Sequence, residues 1–376
     1  MSTNDQTPIA DQLLNYLAVG RTKGDNSRFK MYPFDGTQLS DPVNGGDAWK
    51  SNQGAGAVAT TVINGLPYLA VGKTTGGGNR IEIYPFDGKA FGTPITGGSN
   101  WGDSRGVTAM AFTTINGQNY LAVGRSKGDN SRVKVYSFDG TFLNEVASTG
   151  DSWGSSRETT CVAFGTVGSQ TYLAVGRNEG DNSRFKIYSF DGNSLQDVVS
   201  DGGTSWGKSR GATGVSFTVL DDVTYLAVGR SKGDNSRIQI YPFDGSSLGT
   251  MISGGDGWGK DRGATALEFT QINGVAYLAV GRSKGDNSRF KIFPFNGQEL
   301  GSESSGGEGW GKTRETTAVS FGTLGGNTYL AVGRNEGANS RFKIYAFNGH
   351  FLTSVIENGG DGWGDSRGTS DLQFLS

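Results

Sequence analysis

The segment Tyr-Leu-Ala-Val-Gly at residues 120–124 decides the fold, because it recurs seven times along the chain. The copies begin at Tyr16, Tyr68, Tyr120, Tyr172, Tyr225, Tyr277 and Tyr329, and successive copies are 52 or 53 residues apart. Seven tryptophans follow the same period: Trp49, Trp101, Trp153, Trp206, Trp258, Trp310 and Trp363. A fixed period near 50 residues indicates a repeat architecture.

Each repeat has the pattern of four short β-strands. In the repeat that runs from Gly106 to Gly150, apolar and β-branched segments predict strands at 108–113, 120–124, 132–138 and 142–147. The first two strands are separated by Asn116-Gly117 and the last two by Asp139-Gly140. These pairs tolerate positive φ angles and therefore favour tight hairpin turns. No segment has useful helical periodicity or caps.

The ends of the chain predict a closed ring. Residues 16–20 read as the second strand of a repeat, and residues 369–374 read as a first strand without its own partners. The last strand would complete the first blade and leave no sheet edge at a seam. We therefore predict an all-β, seven-bladed β-propeller of four-stranded antiparallel blades over residues 15–376, preceded by an N-terminal tail at 1–14.

The repeat resembles those of seven-bladed propeller families, in particular the WD40-like ones. The resemblance covers nearly the whole chain and rests on the blade pattern and on third strands such as residues 132–140, Arg-Val-Lys-Val-Tyr-Ser-Phe-Asp-Gly. The chain lacks the Gly-His pair before the first strand and the Trp-Asp pair that ends the third. The resemblance therefore implies the architecture and none of the WD40 partners.

Composition supports a folded chain and limits the function classes. The 376 residues include 63 glycines, 8 prolines, 13 tyrosines, 21 phenylalanines and 7 tryptophans, and they carry a formal net charge of −2. The single cysteine, Cys161, rules out an intramolecular disulfide. The first 15 residues have no signal-peptide pattern and no apolar run is long enough to span a bilayer. We expect a cytoplasmic protein, or one released without a signal peptide.

Two loops of each repeat are better preserved than the rest. The loop between the second and third strands, here called the arginine loop, reads Arg-Ser-Lys-Gly-Asp-Asn-Ser-Arg at 125–132, 230–237 and 282–289. The loop that leads into the first strand, here called the tryptophan loop, reads Trp-Gly-x-x-Arg in six of seven repeats. In an up-and-down blade both loops lie on one face. Turns on the opposite face have diverged, which indicates a constraint on the first face.

The two loops also vary together. Repeats with Arg-Glu-Thr-Thr in the tryptophan loop, at 157–160 and 314–317, have Arg-Asn-Glu-Gly in the arginine loop, at 177–180 and 334–337. The second repeat departs most, because Asn52 and Gln53 stand where Arg is expected, Lys73 replaces Arg, and the Asp is missing from its glycine-rich loop at 76–78. The joint loss of the Arg and the Asp in this repeat fits a pair in contact, but the seventh repeat keeps Arg314 and has Ala338 in place of the Asp, so the pairing is not obligatory.

The candidate ligand-binding residues are one Trp, one Arg and one Asp for each intact repeat. An aromatic face can stack on a pyranose, while Arg and Asp supply donors and acceptors for its hydroxyls. The set comprises Trp101, Trp153, Trp206, Trp258, Trp310, Trp363, Arg105, Arg157, Arg210, Arg262, Arg314, Arg367, Asp25, Asp129, Asp181, Asp234 and Asp286. The alternative is purely structural: Trp packs between blades, Arg and Asp tie the loops together, and glycines form turns.

We expect a multivalent, lectin-like carbohydrate-binding module that is not an enzyme, since repeat-built propeller lectins are similar in design. Several weak sites on one rigid face would give avidity for a glycan-bearing surface. A protein-interaction scaffold is the alternative, and an enzyme in the central channel a less favoured one, because repetition offers no unique site. The basic arginine loops also allow anionic glycans, whereas nucleic acid is not favoured.

No cofactor or metal is expected from the sequence. One histidine, His350, and one cysteine cannot supply a Cys/His zinc site. Gly-Asp-Asn-Ser lacks the alternating carboxylates of a calcium loop, and no catalytic triad can be assembled around a lone histidine.

Overall fold

The computed structural model describes residues 16–375 apart from short gaps in the loops. The gaps are 24–26, 77, 100, 103, 128–130, 151–156, 180–182, 234–235, 257, 259–260, 284–287, 309, 311–313, 337–339, 362 and 364–366. Residues 1–15 and 376 also lie outside the described part.

The described strands form seven four-stranded antiparallel sheets, which are the blades. Blade 1 contains β1 (Tyr16–Arg21), β2 (Phe29–Pro33), β3 (Val43–Gly45) and β28 (Thr369–Phe374). Blade 2 contains β4 (Ala55–Ile63), β5 (Leu66–Lys73), β6 (Ile81–Pro85) and β7 (Ile95–Gly97). Blade 3 contains β8 (Val107–Ile115), β9 (Gln118–Arg125), β10 (Val133–Phe138) and β11 (Leu143–Thr149). Blade 4 contains β12 (Thr159–Val167), β13 (Gln170–Arg177), β14 (Phe185–Phe190) and β15 (Leu195–Gly202).

The remaining three blades repeat this order. Blade 5 contains β16 (Ala212–Leu220), β17 (Val223–Arg230), β18 (Ile238–Phe243) and β19 (Ile252–Gly254). Blade 6 contains β20 (Ala264–Ile272), β21 (Val275–Arg282), β22 (Phe290–Phe295) and β23 (Ser304–Gly306). Blade 7 contains β24 (Thr316–Leu324), β25 (Asn327–Arg334), β26 (Phe342–Phe347) and β27 (Leu352–Gly359). A 3₁₀ turn at Thr204–Trp206 lies in one tryptophan loop.

The last strand closes the ring, as predicted. β28 pairs antiparallel with β1, with Leu17 opposite Phe374 and Val19 opposite Leu372. It also reaches blade 2, because the backbone N–H of Thr60 donates to Oε1 of Gln373 at 3.0 Å. The seam is therefore hydrogen-bonded on both sides, and the predicted seven-bladed propeller is confirmed.

The repeated Tyr-Leu-Ala-Val-Gly segment holds neighbouring blades together. Its apolar residues are fully buried in the second strand of each blade, and its tyrosine meets a phenylalanine of the next blade edge to face, a favourable geometry for aromatic rings. Ring centroids lie 4.9–5.2 Å apart in Tyr16–Phe86, Tyr68–Phe138, Tyr120–Phe190, Tyr172–Phe243, Tyr225–Phe295, Tyr277–Phe347 and Tyr329–Phe34. The last pair joins blade 7 to blade 1.

The predicted turns are present at the predicted places. Asn116 and Gly117 both have positive φ angles, of 51° and 80°, as a tight hairpin requires. At the other turn, Oδ1 of Asp139 accepts the backbone N–H groups of Thr141 and Phe142, at 2.8 and 2.7 Å. These bonds replace part of the strand ladder at the tip of the blade.

The first strands of the blades surround a central channel, and the tryptophan and arginine loops lie together at the blade junctions. Within the ranges described above, no helical segment has the length and apolar character needed to cross a lipid bilayer.

Candidate functional site at the blade junctions

Each tryptophan loop rests on a buried arginine that the sequence analysis did not single out. This arginine immediately precedes the third strand of the preceding blade, at the end of its arginine loop. All seven side chains are 0–2% exposed: Arg28, Arg80, Arg132, Arg184, Arg237, Arg289 and Arg341. A buried guanidinium requires hydrogen-bond acceptors in place of water.

The acceptors are backbone carbonyls of the tryptophan loop. Arg28 donates from Nε to the carbonyl of Gln53 at 2.7 Å, and from Nη2 to those of Trp49 and Lys50 at 3.1 and 3.0 Å. In the same way, Nε of Arg132 donates to the carbonyl of Arg157 at 2.8 Å. A planar fork of donors can satisfy several carbonyls at once. The arginine therefore fixes the path of the loop that carries the predicted site residues.

A second basic residue covers the tryptophan ring. It is the last residue of the second strand, and its charged group lies 4.5–5.3 Å from the indole centroid in the described pairs. These pairs are Arg21–Trp363, Lys73–Trp49, Arg125–Trp101, Arg230–Trp206, Arg282–Trp258 and Arg334–Trp310. Such cation–π contacts are stabilising when desolvated. The six indoles are only 2–8% exposed, so one face of each ring is occupied by the protein itself.

The tryptophan and arginine loops are in contact through residues that vary together, whereas the predicted pairing of Arg with Asp involves aspartates that lie outside the described part. In blade 3, the N–H of Gly106 donates to Oγ of Ser126 at 3.0 Å, and the N–H of Ser126 donates to the carbonyl of Gly106 at 2.9 Å. In blade 4, Glu158 and Asn178 replace this pair, with Asn178 Oδ1 as acceptor at 3.3 Å. The residues that vary together in the sequence are thus hydrogen-bonded partners.

Equivalent pockets open beside the tryptophan at two blade junctions. The pocket between blades 2 and 3 has a volume of about 550 Å³, and the pocket between blades 5 and 6 has about 530 Å³. The first is lined by Trp101, Arg105, Arg125, Ser131, Lys134, Tyr136 and Glu145. The second is lined by the equivalent Trp258, Arg262, Arg282, Ser288, Lys291, Phe293 and Glu303. Both volumes lie within the range typical of small-molecule sites.

The pockets are polar and crowded with positive charge. Burial and the neighbouring Arg105 guanidinium lower the pKa of Arg125, and burial and Arg262 do the same for Arg282. In blade 7, burial and Arg314 lower the pKa of Arg334 to about 10. These groups stay protonated at neutral pH, so two like charges are held close together in each pocket.

One ion pair partly offsets this charge in each of the two pockets. Lys134 Nζ lies 2.6 Å from a carboxylate oxygen of Glu145, and Lys291 pairs with Glu303 in the same way. The Lys291 ammonium lowers the pKa of Glu303. The guanidinium groups of each pocket give it a positive charge, which favours an anionic or strongly polar ligand.

The structure places the predicted residues as follows. Trp101 meets Arg105, and Trp258 meets Arg262, in the two pockets. In blade 7, Arg314 Nη1 donates to the carbonyl of Trp310 at 2.8 Å. Trp206, Trp363, Arg157, Arg210 and Arg367 occupy the equivalent loop positions. Trp153, Asp25, Asp129, Asp181, Asp234 and Asp286 lie outside the described residues.

The sequence analysis missed half of the pocket. Besides the stacked arginine, the missed residues are those of the third and fourth strands, such as Lys134, Tyr136 and Glu145. Alternation along the third strand was the usable signal. It points Lys134 and Tyr136 to the same face of one sheet, because they are two residues apart, and the tryptophan loop that leads into their blade completes the pocket around them.

The central channel carries polar residues that are not repeated. The carboxyl groups of Glu268 in β20 and Asp371 in β28 line it, together with Ser216, Ser320 and Gln373. Burial, with a smaller contribution from the Asp371 charge, raises the pKa of Glu268 to about 8, and burial raises that of Asp371 to about 7. Cys161 also lines the channel, and burial raises the pKa of its thiol to about 12.

These polar groups also bridge the first strands of adjacent blades. Glu268 Oε2 accepts the N–H of Phe321 in blade 7 at 2.9 Å. Asp371 Oδ2 accepts the N–H of Val58 in blade 2 at 2.9 Å. The first strands diverge too far for a backbone ladder, so side chains satisfy part of their exposed N–H groups.

Comparison with known proteins supports the fold. No family model matches the chain, and no curated protein sequence matches it. Among solved structures, the dihydro-heme d1 dehydrogenase NirN is similar over 100% of this chain and 78% of its own, with a TM-score of 0.54 and 10% identity. An α-L-arabinanase from Penicillium chrysogenum, complexed with arabinobiose, is similar over 78% of this chain and 93% of its own, with a TM-score of 0.51 and 13% identity.

A third similar structure, Raptor from Chaetomium thermophilum, covers 85% of this chain and 26% of its own, with a TM-score of 0.53 and 11% identity. At these identities the likeness concerns the fold alone.

These comparisons correct one prediction. The expectation that the chain is not an enzyme is wrong as an inference from this architecture, because an arabinanase and a dehydrogenase have similar folds. The repeats were also expected to offer no unique catalytic site. The central channel nevertheless contains the carboxyl groups of Glu268 and Asp371, which have no counterpart in the other blades.

Proposed function

We propose that the chain binds carbohydrate in the pockets at its blade junctions. The observation that carries the proposal is the recurrence of one polar pocket, with tryptophan, two arginines, serine, lysine and an acid, at two junctions with nearly equal volume. Guanidinium, hydroxyl and carboxylate groups are the donors and acceptors that sugar hydroxyls require. Because a cation covers one face of each described indole and the ring is 2–8% exposed, the polar groups supply most contacts and the ring edge supplies the apolar one.

Repetition of the pocket around the ring supports multivalent binding. Within the described residues, the buried arginine donates to the tryptophan loop at six junctions, so related pockets can engage several sugars on one surface. Weak individual sites then combine into strong overall attachment. This is the behaviour of a lectin, and agglutination of glycan-coated beads tests it directly.

A paired substitution tests the site itself. Arg262→Ala is expected to remove about one binding site, measured as stoichiometry by titration calorimetry, because Arg262 lines the pocket of blade 6. The unfolding transition should shift little, since the loop carbonyl at Arg262 remains bonded to Arg237.

Gln53→Ala is the matched control. Gln53 occupies the same repeat position in blade 2, where the sequence predicts no ligand, and it bonds Lys50 and Thr75 instead. It should leave stoichiometry unchanged. A large loss of stability in Arg262→Ala with full stoichiometry would show that Arg262 is only a structural brace. A silent glycan panel together with one stoichiometric protein partner would favour an interaction scaffold.

Hydrolysis of a glycan in the central channel is the second candidate. The specific observation in its favour is the pair of unrepeated carboxyl groups, Glu268 and Asp371, with raised pKa values. A carboxyl group that stays protonated near neutral pH can act as a general acid. Release of reducing ends from arabinan and galactan by the wild type, and its loss in Glu268→Gln, would establish this activity; no release from either would remove the candidate.

A further inference from the structure

Blade 2 has an acidic side chain at a position that is basic or neutral in every other blade. Glu82 is the second residue of β6. The equivalent residues of the other blades are Lys30, Lys134, Lys186, Gln239, Lys291 and Lys343. The side chain of Glu82 is only 12% exposed, so its carboxylate lies inside the blade junction and not on the surface.

Three donors of the same blade hold this carboxylate. Trp49 donates from Nε1 to Oε2 of Glu82 at 3.0 Å, and the Tyr84 hydroxyl donates to the same oxygen. Lys73 Nζ donates to Oε1 at 2.5 Å while lying 4.7 Å from the Trp49 ring centroid. An indole, a phenol and a cation therefore form a complete carboxylate site, with bonds that are strong because the acceptor is charged.

The other blades have the same donors without the carboxylate. In blade 3, Arg125 takes the place of Lys73 above Trp101, and Trp101 hydrogen-bonds the hydroxyl of Tyr136. Lys134 occupies the position of Glu82 and forms an ion pair with Glu145. The pocket of about 550 Å³ opens where these groups meet. Its lining has three cationic side chains and one carboxylate.

In blade 7, one of the donors is buried and has no acceptor within the part of the chain that the structure describes. Trp310 is 2% exposed, and no described residue accepts a hydrogen bond from its Nε1. The same indole nitrogen in blade 2 is satisfied by Glu82. Arg334 lies 5.3 Å from the Trp310 ring centroid, and Tyr345 occupies the place of Tyr84. A buried N–H without a partner costs free energy, which a ligand acceptor would recover.

We propose that the blade-junction pockets bind an acidic sugar, whose carboxylate takes the place that Glu82 fills in blade 2. The proposal rests on the carbohydrate-binding function proposed above and specifies its ligand as a glycan that contains uronic acid. Blade 2 then carries a built-in occupant, which gives a physical reason why it should not bind ligand. Among the blades whose tryptophan the structure describes, blades 1, 3 and 7 have the full set of tryptophan, arginine, tyrosine and lysine.

The geometry favours a carboxylate over a neutral hydroxyl. Glu82 uses one oxygen for the cation and the other for the indole and phenol, so both oxygens of a planar acid are needed to satisfy the site. A neutral hydroxyl offers one oxygen and no charge to offset two adjacent guanidinium groups. The pocket volume also leaves room for the sugar ring beyond the acid.

The indole N–H resonances of the seven tryptophans provide the test. We expect methyl α-D-galacturonate to shift the resonances of Trp101, Trp310 and Trp363 in ¹⁵N-edited NMR spectra, with little change at Trp49, whose N–H is already bonded to Glu82. The methyl ester of the same sugar and methyl α-D-galactoside should bind at least tenfold more weakly. Each resonance is assigned through its single Trp→Phe variant.

The outcomes separate this inference from the function on which it rests. Silence of all probes, including oligomers of both sugars, would overturn carbohydrate binding and the acidic-sugar inference together. Equal responses to acid and ester would keep carbohydrate binding and overturn the carboxylate assignment. Responses to acetate or to penta-aspartate as large as those to methyl α-D-galacturonate would show that the pocket binds a carboxylate without needing a sugar. A shift of Trp49 as large as the others would refute Glu82 as an occupant.

A hydroxyl deletion tests a second donor of the site. Tyr345→Phe removes one donor of blade 7 and keeps the ring, so it should weaken galacturonate binding at Trp310 about tenfold and leave the ester unaffected. Tyr84→Phe is the matched control in blade 2 and should leave galacturonate binding at the other blades unchanged. Equal affinity in Tyr345→Phe and wild type would overturn the role assigned to the phenol.

Discussion

Replacing Arg28 with methionine is expected to lower the free energy of unfolding by about 3 kcal/mol. The change removes a fully buried guanidinium that donates to the carbonyls of Trp49, Lys50 and Gln53. Methionine fills similar volume but leaves these carbonyls without their donor. Relief of the desolvation cost of a buried charge offsets part of the loss. Urea unfolding followed by tryptophan fluorescence measures the difference.

Arg28 is suited to this test because the loop it supports belongs to blade 2, whose junction is already filled by Glu82. Ligand binding in the other blades should therefore persist while stability falls. Arg28→Lys is the control for charge: a lysine keeps the cation but cannot form the three-carbonyl fork, so it should also destabilise. A loss below about 0.5 kcal/mol in both variants would show that water replaces the arginine without cost.

The sequence predicted the architecture well because the fold depends on features that repeat. Each predicted strand of the repeat at 106–150 overlaps an observed strand, from β8 to β11, with differences of at most two residues at the ends. Asn-Gly and Asp-Gly turns require particular residues, so they are visible locally. The closure by β28 followed from the missing first strand of blade 1.

The site was predicted less completely, because the two arginines that flank each arginine loop cannot be told apart by local pattern. In blade 3 these are Arg125, which stacks on Trp101, and Arg132, which supports the next tryptophan loop. Both are 0–4% exposed, whereas a charged loop is ordinarily read as solvated. Their burial depends on loops that come from adjacent blades, about 25 residues away in sequence.

Glu82 was also missed, because its partners are distant in sequence. The sequence analysis identified blade 2 as different through the absence of Arg and Asp, and did not consider the acid in its third strand. The partners of Glu82 are Trp49, 33 residues earlier, and Lys73, 9 residues earlier. Their convergence is a consequence of blade packing, which a strand pattern does not specify.

The stability of the ring is expected to fall as pH rises from about 5 to about 8, and Glu268→Gln should remove much of this dependence. Burial raises the pKa of Glu268 from 4.5 to about 8. A raised carboxyl pKa means that the folded chain holds its proton where the unfolded chain has lost it. The contribution of the protonated Glu268 carboxyl group to the free energy of unfolding is therefore complete below pH about 4.5 and is lost as the pH rises through about 8.

The expected size of the effect is about 2 kcal/mol between pH 5 and 8. The full shift of Glu268 would correspond to about 5 kcal/mol, and access of water to the channel reduces it. Glutamine keeps an acceptor for the N–H of Phe321, so Glu268→Gln should be close to wild type at pH 5 and more stable at pH 8. Asp371, with its pKa raised to about 7, leaves a smaller residual slope.

Glu303→Gln is the control with the opposite sign. The Lys291 ammonium lowers the pKa of Glu303, so this ion pair contributes stability above the unfolded pKa and loses it as the pH falls. Removing that carboxylate should change the acid side of the profile and leave the slope between pH 5 and 8 intact. Thermal unfolding of the wild type, Glu268→Gln and Glu303→Gln at half-unit pH intervals measures how the stability of each depends on pH. An unchanged slope in Glu268→Gln would mean that the channel carboxyl groups ionise as they do in water, and that their bridging bonds to blades 7 and 2 carry no proton-linked stability.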